Sequence, residues 1–463
     1  MLTQPNILFI QSDQHRFDCV GANGHPLLKT PHLDRLAQEG VNFTQAYTPI
    51  PVCGPSRNCL MYGQWSTQHL CIANDDTEAP RPARPGIPTW GPALRQRGYH
   101  LAHVGKWHVH PDHDPTHLDY GFHTYVSERG YAAWRGQVGL EPRPKLPWTG
   151  GVDPHIAPVQ SRLAWSADQV LQLLEEAAHR GRPFFIRWNT SEPHLPNVVP
   201  EPYASMYDPE VIKPWTSFSD PLVGKPYIQA QQRRTWGVVD WTWGQWTEIV
   251  GRYLGEISLL DAQVGRLLDT LERLCLAEST VVIFTSDHGD LCGAHGMVDK
   301  HYVMYDDVVR VPLIVRWPGR IKPASVCDAF VSHSIDLATT VCEIAGVAVP
   351  ETFQGQSLIP LFDGETDNGR EDIFATYHGN QFGLYSERMV RDRRWKYVWN
   401  ATAEDELYDL ISDPGELHNL VRDAASAEVL ARLRRRLVAW MEQTRDPLLN
   451  GWNRTQLLEG RSL

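Results

Sequence analysis

The chain has 463 residues, 42% hydrophobic and 21% charged, a balance that excludes a disordered chain and provides for one large domain and a smaller companion. Its formal net charge of −12 argues against sequence-independent nucleic-acid binding, which needs clustered lysine and arginine, so no nucleic-acid partner is expected. No run approaches the ~20 apolar residues of a membrane helix, and the start, MLTQPNILFIQSDQ, carries neither a basic leader nor a cleavage site; a cytoplasmic protein with no membrane partner is expected.

In chain order, Asn6–Ile10 is an apolar run ending in Gln11-Ser12-Asp13-Gln14-His15, the pattern of a buried strand that delivers polar groups at its carboxyl end. TPHLDRLAQEG follows as a helix with Thr30 as N-cap, Pro31 in the first turn and Gly40 as stop, then a strand around Val41–Ala46. The segment PSRNCLMYGQ reads as a helix opened by Pro55, which puts Cys53 at its positive end, where anions and nucleophiles are favoured. The alternation recurs in TWGPALRQRG before YHLAHVGKWH and in SADQVLQLLEEAAHRG before PFFIRWNTSEPH. It recurs again in the helix Tyr253–Leu274 before STVVIFTSDHGD, and RVPLIVRWPG adds a further strand. Pro142–Pro158, rich in proline and glycine, reads as a surface loop.

These units predict an α/β fold: a large mixed, mostly parallel sheet sandwiched by helices over residues 1–350. Beyond Pro350 the short strands IFATYHGN, SERMVRDRRWKYVWN and DELYDLISDP, with a helix from about Ala424 to Glu442, predict a smaller C-terminal domain over 351–463, an antiparallel sheet with a helix. The eight cysteines have no CxxC pair and no regular spacing, so most read as small buried residues. The tryptophans 236, 241, 243 and 246 read as core or subunit contact. Together with the tail DPLLNGWNRTQLLEG they support the expectation of a homo-oligomer. Of the histidines near the polar motifs, His15, His110, His113, His117 and His301 are assigned mostly to loop surfaces and His295 to support of the site.

The ionisable residues at strand ends are Asp13 with Gln14, Lys106 with His108, His194, and Asp287 with His288, with Lys300 in the loop beyond. Carboxylates, an imidazole and an amide drawn to one sheet edge suit a divalent cation. Lys106, Lys300, Arg57 and the remaining histidines supply donors for an oxyanion such as sulfate or phosphate.

The stretch CGPSR resembles the C-x-P-S-R signature of the sulfatases, and SDQ, GKWH, PHLP and DHG recur in that family's order. RWKYVWN and ELYDLISDPGELHNL resemble its C-terminal domain. The resemblance implies an alkaline-phosphatase-like fold and a hydrolase of sulfuric esters, arylsulfatase-type, acting on a small anionic ester. It implies that Cys53 is oxidised to formylglycine by a formylglycine-generating enzyme, a transient partner. The aldehyde's hydrate carries two hydroxyls: one attacks sulfur, and the other later loses its proton so that sulfate leaves. Carried over by motif, Asp13, Gln14, Asp287 and His288 with residue 53 would hold one divalent metal ion, calcium by first choice and manganese as alternative. Arg57 and Lys106 would orient the hydrate, His108 would act as base, and His194 and Lys300 would grip the sulfuryl oxygens or protonate the leaving oxygen. Gln14, His288 and Asn74, the last a substrate-binding candidate, look more like the phosphonate monoester hydrolases of the same superfamily. A promiscuous enzyme, or a phosphonate monoester and phosphodiester hydrolase on the same site, is therefore the alternative.

Overall fold

The computed structural model describes residues 4–74, 82–365, 367, 369–379 and 383–460. Its main sheet has the strands β1 (Asn6–Ser12), β2 (Val41–Phe43), β3 (His100–Gly105), β4 (Thr124–Ser127), β5 (Phe184–Asn189), β6 (Thr280–Ser286), β7 (Leu313–Arg316) and β8 (Ser325–Cys327). They lie in the order β8-β2-β7-β6-β1-β5-β3-β4, and β7 alone runs against the others. The principal helices are α1 (Pro31–Gln38), α2 (Cys53–Tyr62), α3 (Arg162–Arg180), α4 (Trp243–Arg273), α5 (His333–Ile344), α6 (Ala427–Gln443) and α7 (Gly451–Glu459). The expected α/β sandwich is thus present, with a small antiparallel C-terminal sheet.

Strand alternation builds both faces. Leu8 and Ile10, with Ala102, Ile186 and Phe284, pack on α1, α3 and α4. Ile7 and Phe9, with Leu101, Phe185 and Ile283, pack toward α2 and α5. A strand buried on both faces reads as a continuous apolar run, which is why these segments look alike in sequence. Each fully buried aliphatic or aromatic side chain contributes about 1.5–3 kcal/mol.

The C-terminal sheet comprises β9 (Ile373–Tyr377), β10 (Glu387–Arg391), β11 (Trp395–Asn400) and β12 (Glu406–Asp409), antiparallel and in chain order. Its core is shared with the first part of the chain: Phe374, Val390, Trp399, Leu433 and Trp440 cluster with Tyr47, Ile50, Val52 and Trp65. The Thr376 N–H donates to the Pro49 carbonyl (2.9 Å), four residues before Cys53.

Several details differ from the sequence reading. Helix α2 starts at Cys53 rather than Pro55, and α4 starts at Trp243, ten residues before Tyr253. Thr30 holds the N-cap position of α1 without capping it; Asp261 of α4 accepts from the His32 and Leu33 N–H groups (3.1 and 2.7 Å). The Val41–Ala46 segment breaks into β2 and a two-residue strand, Ala46–Tyr47. The tail contains α7, and within the Pro142–Pro158 loop Gly151–Val152 pairs with Val198–Val199. Trp241 stacks on Trp148 (centroids 5.4 Å apart), and Trp246 is buried beside them, so this group forms a local core. His15 and His301 are buried, not on loop surfaces. No helix among the described residues is long and apolar enough to cross a membrane.

His333 at the start of α5 is buried and held neutral, its imidazole pushed down by desolvation to about 3. Its folded value lies below its ordinary 6.5, so its contribution is complete above pH 6.5 and is lost as pH falls through that value toward 3. The stability advantage of the wild type over His333→Gln should therefore shrink by roughly 1 kcal/mol per pH unit below 6.5. Denaturant midpoints of the pair at pH 7.5 and 5 test this; a constant difference refutes it.

Candidate active site

The site forms at the carboxyl edge of the sheet because neighbouring strands end level. Ser12 of β1 pairs with Ser286 of β6, so the next residues, Asp13 and Asp287, emerge side by side. On the other flank Gly105 of β3 pairs with Asn189 of β5, which delivers Lys106 and the His194 loop. Gly105 is obligatory: its φ is +99°, and a Cβ would lie 1.9 Å from the Asn189 carbonyl oxygen. Gly289 of the DHG motif likewise leaves only 2.0 Å between a built Cβ and the Asp307 carbonyl oxygen.

Arg57 locks the carboxylates in place. Its Nε donates to Asp287 Oδ2 (2.9 Å) and its Nη2 to Asp13 Oδ2 (3.0 Å), and all three side chains are fully buried. Lys106 Nζ also donates to Asp13 Oδ2, at 2.5 Å. Burial and the Cys53 sulfur push the Asp13 carboxyl up, but Lys106, His194 and Arg57 outweigh them and hold it at about 2. Ser56 Oγ donates to the Asp287 carbonyl (2.9 Å), fixing the first turn of α2 to the end of β6.

Cys53 is 1% exposed. Its Sγ lies 3.1 Å from His288 Nε2 and 3.6 Å from Asp13 Oδ1. Burial raises its thiol, yet the charges of Lys106, Lys300 and His288, and a hydrogen bond from His108, carry it well below its ordinary value. Burial lowers His288, while Asp287 and Cys53 raise it, to about 9. Position 53 is thus a place where negative charge on the side chain is strongly favoured.

Asp13, Cys53, Asp287 and His288 offer ligand atoms that all lie within 4.8 Å of one another. His288 Nε2 is 3.8 Å from Asp13 Oδ1 and 3.7 Å from Asp287 Oδ1, separations that one cation with bonds of ~2.0–2.6 Å can span. Two carboxylates and an imidazole fit a divalent cation. The Gln14 side chain is directed elsewhere: its Nε2 donates to Asp290 Oδ2 (2.7 Å) and its Oε1 accepts from Lys300 Nζ (3.0 Å). Its backbone N–H, at a φ of +63°, donates to Asp287 Oδ1 (3.2 Å).

Lys300 also meets His194 Nε2 (2.9 Å), and His194 Nδ1 is tied to the Leu195 carbonyl (2.7 Å). Asn74 Oδ1 accepts from the Gly54 N–H (2.9 Å), one residue beyond Cys53. Lys106 and His108 open onto a cavity of about 390 Å³ whose walls include His110, Tyr125, Glu128 and Arg129. The structure therefore gathers every candidate around Cys53.

Two acids escaped the sequence reading. Asp290, raised to about 6 by burial and then by Asp299, orients Gln14, and Asp299 lies 3.2 Å from Lys300. The signal was present in the second aspartate of SDHGD and in the Asp299-Lys300 pair. His295, expected in support of the site, is bound instead to Asp220 (2.6 Å) and stacked on Tyr305.

A family model described as Sulfatase matches residues 5–347, and one described as N-sulphoglucosamine sulphohydrolase, C-terminal, matches residues 293–443. The chain is 29% identical to an uncharacterized sulfatase, YidJ, of Escherichia coli (strain K12), over 96% of this chain and 89% of that protein. It is 26% identical to an arylsulfatase of Clostridium perfringens (strain 13 / Type A), over 99% of this chain and 98% of that protein. Among solved structures, the phosphonate monoester hydrolase of Agrobacterium radiobacter superposes with a TM-score of 0.82 at 27% identity, covering 95% of this chain and 96% of that one.

Replacing Asp13 or Asp287 by Asn should abolish stoichiometric divalent metal and lower activity by at least ~10²-fold, while circular dichroism remains native. Elemental analysis of the purified variants checks it; full metal content in both refutes it.

Proposed function

The chain belongs to the sulfatase family and is a sulfuric ester hydrolase, and we propose that it cleaves sulfate monoesters at residue 53, with phosphonate monoesters and phosphate diesters as slower substrates. The observation that carries this reading is the buried position of Cys53 at the start of α2, with Lys106, Lys300, His288 and His108 all favouring negative charge on its side chain. A formylglycine at position 53 and a divalent cation, both implied by the family, would supply the nucleophile and Lewis acidity.

The rest follows from the chain's own side chains. Asp13, Asp287 and His288, with residue 53, would hold the cation, calcium by first choice and manganese as alternative, while Gln14, expected among the ligands, steadies Lys300 instead. Arg57 holds both carboxylates aimed inward. Lys106 and Lys300 would bind the sulfuryl oxygens, where their charge is worth most as charge builds on the ester. His108, hydrogen-bonded to residue 53, is placed to take its proton. Lys300, whose ammonium donates to His194 Nε2, would with His194 grip the sulfuryl oxygens or supply the proton to the departing oxygen, and Asn74 would border the substrate beside Gly54.

Sulfate and phosphonate monoesters each carry one negative charge, so total charge does not separate them. Ser56 and His108 complete the sulfatase pattern. The neutral Gln14 and the Asn74 contact, together with the likeness to a phosphonate monoester hydrolase, support the secondary activities. An arylsulfatase-type reaction gives the direct assay.

Cys53→Ala should abolish turnover without unfolding the chain, and peptide mass spectrometry of active enzyme should find formylglycine at 53; free thiol alone in fully active protein refutes this. Lys300→Ala should lower kcat/KM for an aryl sulfate by about 10²–10³-fold. For matched aryl esters, sulfate should exceed phosphonate in kcat/KM, and dianionic phosphate monoesters should be slowest. Phosphonate ahead by more than about tenfold, or 1.4 kcal/mol in transition-state binding, reverses the assignment.

A further inference from the structure

Beside the active-site cavity runs the segment His110-Pro-Asp-His113-Asp-Pro-Thr-His117-Leu-Asp119. Its three imidazoles form a stack: His110 on His113 at 4.2 Å between centroids and His113 on His117 at 3.9 Å, each pair within 6° of parallel. His113, His117 and Asp119 present ligand atoms that lie within 4.8 Å of one another, outside the cluster around Cys53.

The three rings are not equivalent. His110 Nδ1 accepts from the backbone N–H groups of Asp112 and His113, both at 3.0 Å, which puts its proton on Nε2 and leaves no lone pair for a metal. The His113 ring has no such constraint, and its main chain is anchored, since the His113 carbonyl accepts from Trp107 Nε1 (2.8 Å). His117 Nδ1 lies 3.4 Å from both the Asp119 N–H and Asp119 Oδ2, the weak end of hydrogen bonding, and its side chain is 37% exposed. It is therefore cheap to turn about its Cβ–Cγ bond, which a metal requires, because parallel rings aim their lone pairs side by side rather than at one point. The fold of the segment survives that turn: the His117 N–H is bonded to the Asp114 carbonyl, and the His117 carbonyl accepts from Tyr120 and Gly121.

We propose that His113, His117 and Asp119 form a second metal site, for a divalent transition ion such as Zn2+, at the rim of the active-site cavity. Two imidazoles and a carboxylate are a borderline donor set that prefers such ions over calcium, and three protein ligands leave a position for water. The site bears on catalysis by position: His113 lines the cavity onto which Lys106 and His108 open, and it holds the indole of Trp107, the residue between them. An ion there, with its bound water, would take up room beside His113 in the cavity and so hinder an ester that enters it.

The test uses full-length enzyme carrying its active-site cation. After dialysis against micromolar Zn2+, elemental analysis should find about one more zinc per chain in the wild type than in His117→Gln or Asp119→Asn, with zinc-free activity of both variants unchanged. Equal zinc in the wild type and both variants overturns the site. Zinc should inhibit the wild type, and His117→Gln should raise the inhibitory concentration at least tenfold; equal inhibition overturns the link to the cavity.

Discussion

Arg57 makes the active centre possible. Two carboxylates, Asp13 and Asp287, end up side by side in a fully buried position because their strands end in register, and two such charges cannot remain ionised together without compensation. The guanidinium satisfies both through separate nitrogens, which a lysine at the same place would not do with fixed geometry. Removing it would leave two buried anions facing each other, a loss on the order of 3–5 kcal/mol for a broken buried pair. Because Arg57 sits one turn after Cys53 on α2, the same contact fixes residue 53 against the carboxylates.

The C-terminal sheet completes the centre from behind. It supports residue 53 through the Thr376–Pro49 hydrogen bond and the shared apolar cluster around Ile50 and Val52. It also supports the Lys300 loop. The Tyr377 hydroxyl meets His301 Nδ1 (3.0 Å), and Lys396 of β11 reaches the Met304 carbonyl (2.9 Å), Asp306 (2.6 Å) and Glu416 (2.7 Å). Residue 53 and Lys300 belong to different segments, and one small sheet packs against both.

The sheet and the main site residues were legible because a strand buried on both faces gives an unbroken apolar run, and an ionisable residue at its end stands out. What sequence hid was pairing at a distance. Thr30 looked like a helix cap, yet Asp261, far along the chain, serves α1. Pro55 looked like the first helical residue because its φ suits that position, but the chain is already helical at Cys53. His15 and His301 looked like surface histidines, since an imidazole in a polar segment carries no mark of burial. Their surroundings come from residues such as Cys19 and Tyr377. Gln14 was legible as a strand-end amide, whereas its partners, Asp290 and Lys300, depend on how two later loops return to the sheet.

That last arrangement decides how much positive charge faces residue 53. Lys300 is fully enclosed by Asp299, Gln14 and His194, and of these only Asp299 carries a full negative charge. A carboxylate at position 14 would give Lys300 a second anionic partner and draw its charge inward. The neutral amide accepts a hydrogen bond without cancelling the charge, and Asp290, raised toward neutrality by burial, holds the amide in that orientation. With Lys106 bound to Asp13 on the opposite side, the pocket presents two cations, each partly compensated, across the position of residue 53. Under the proposed function, such a pair would match an ester bearing one negative charge better than one bearing two. The second charge would have to be desolvated against cations already engaged with Asp13 and Asp299.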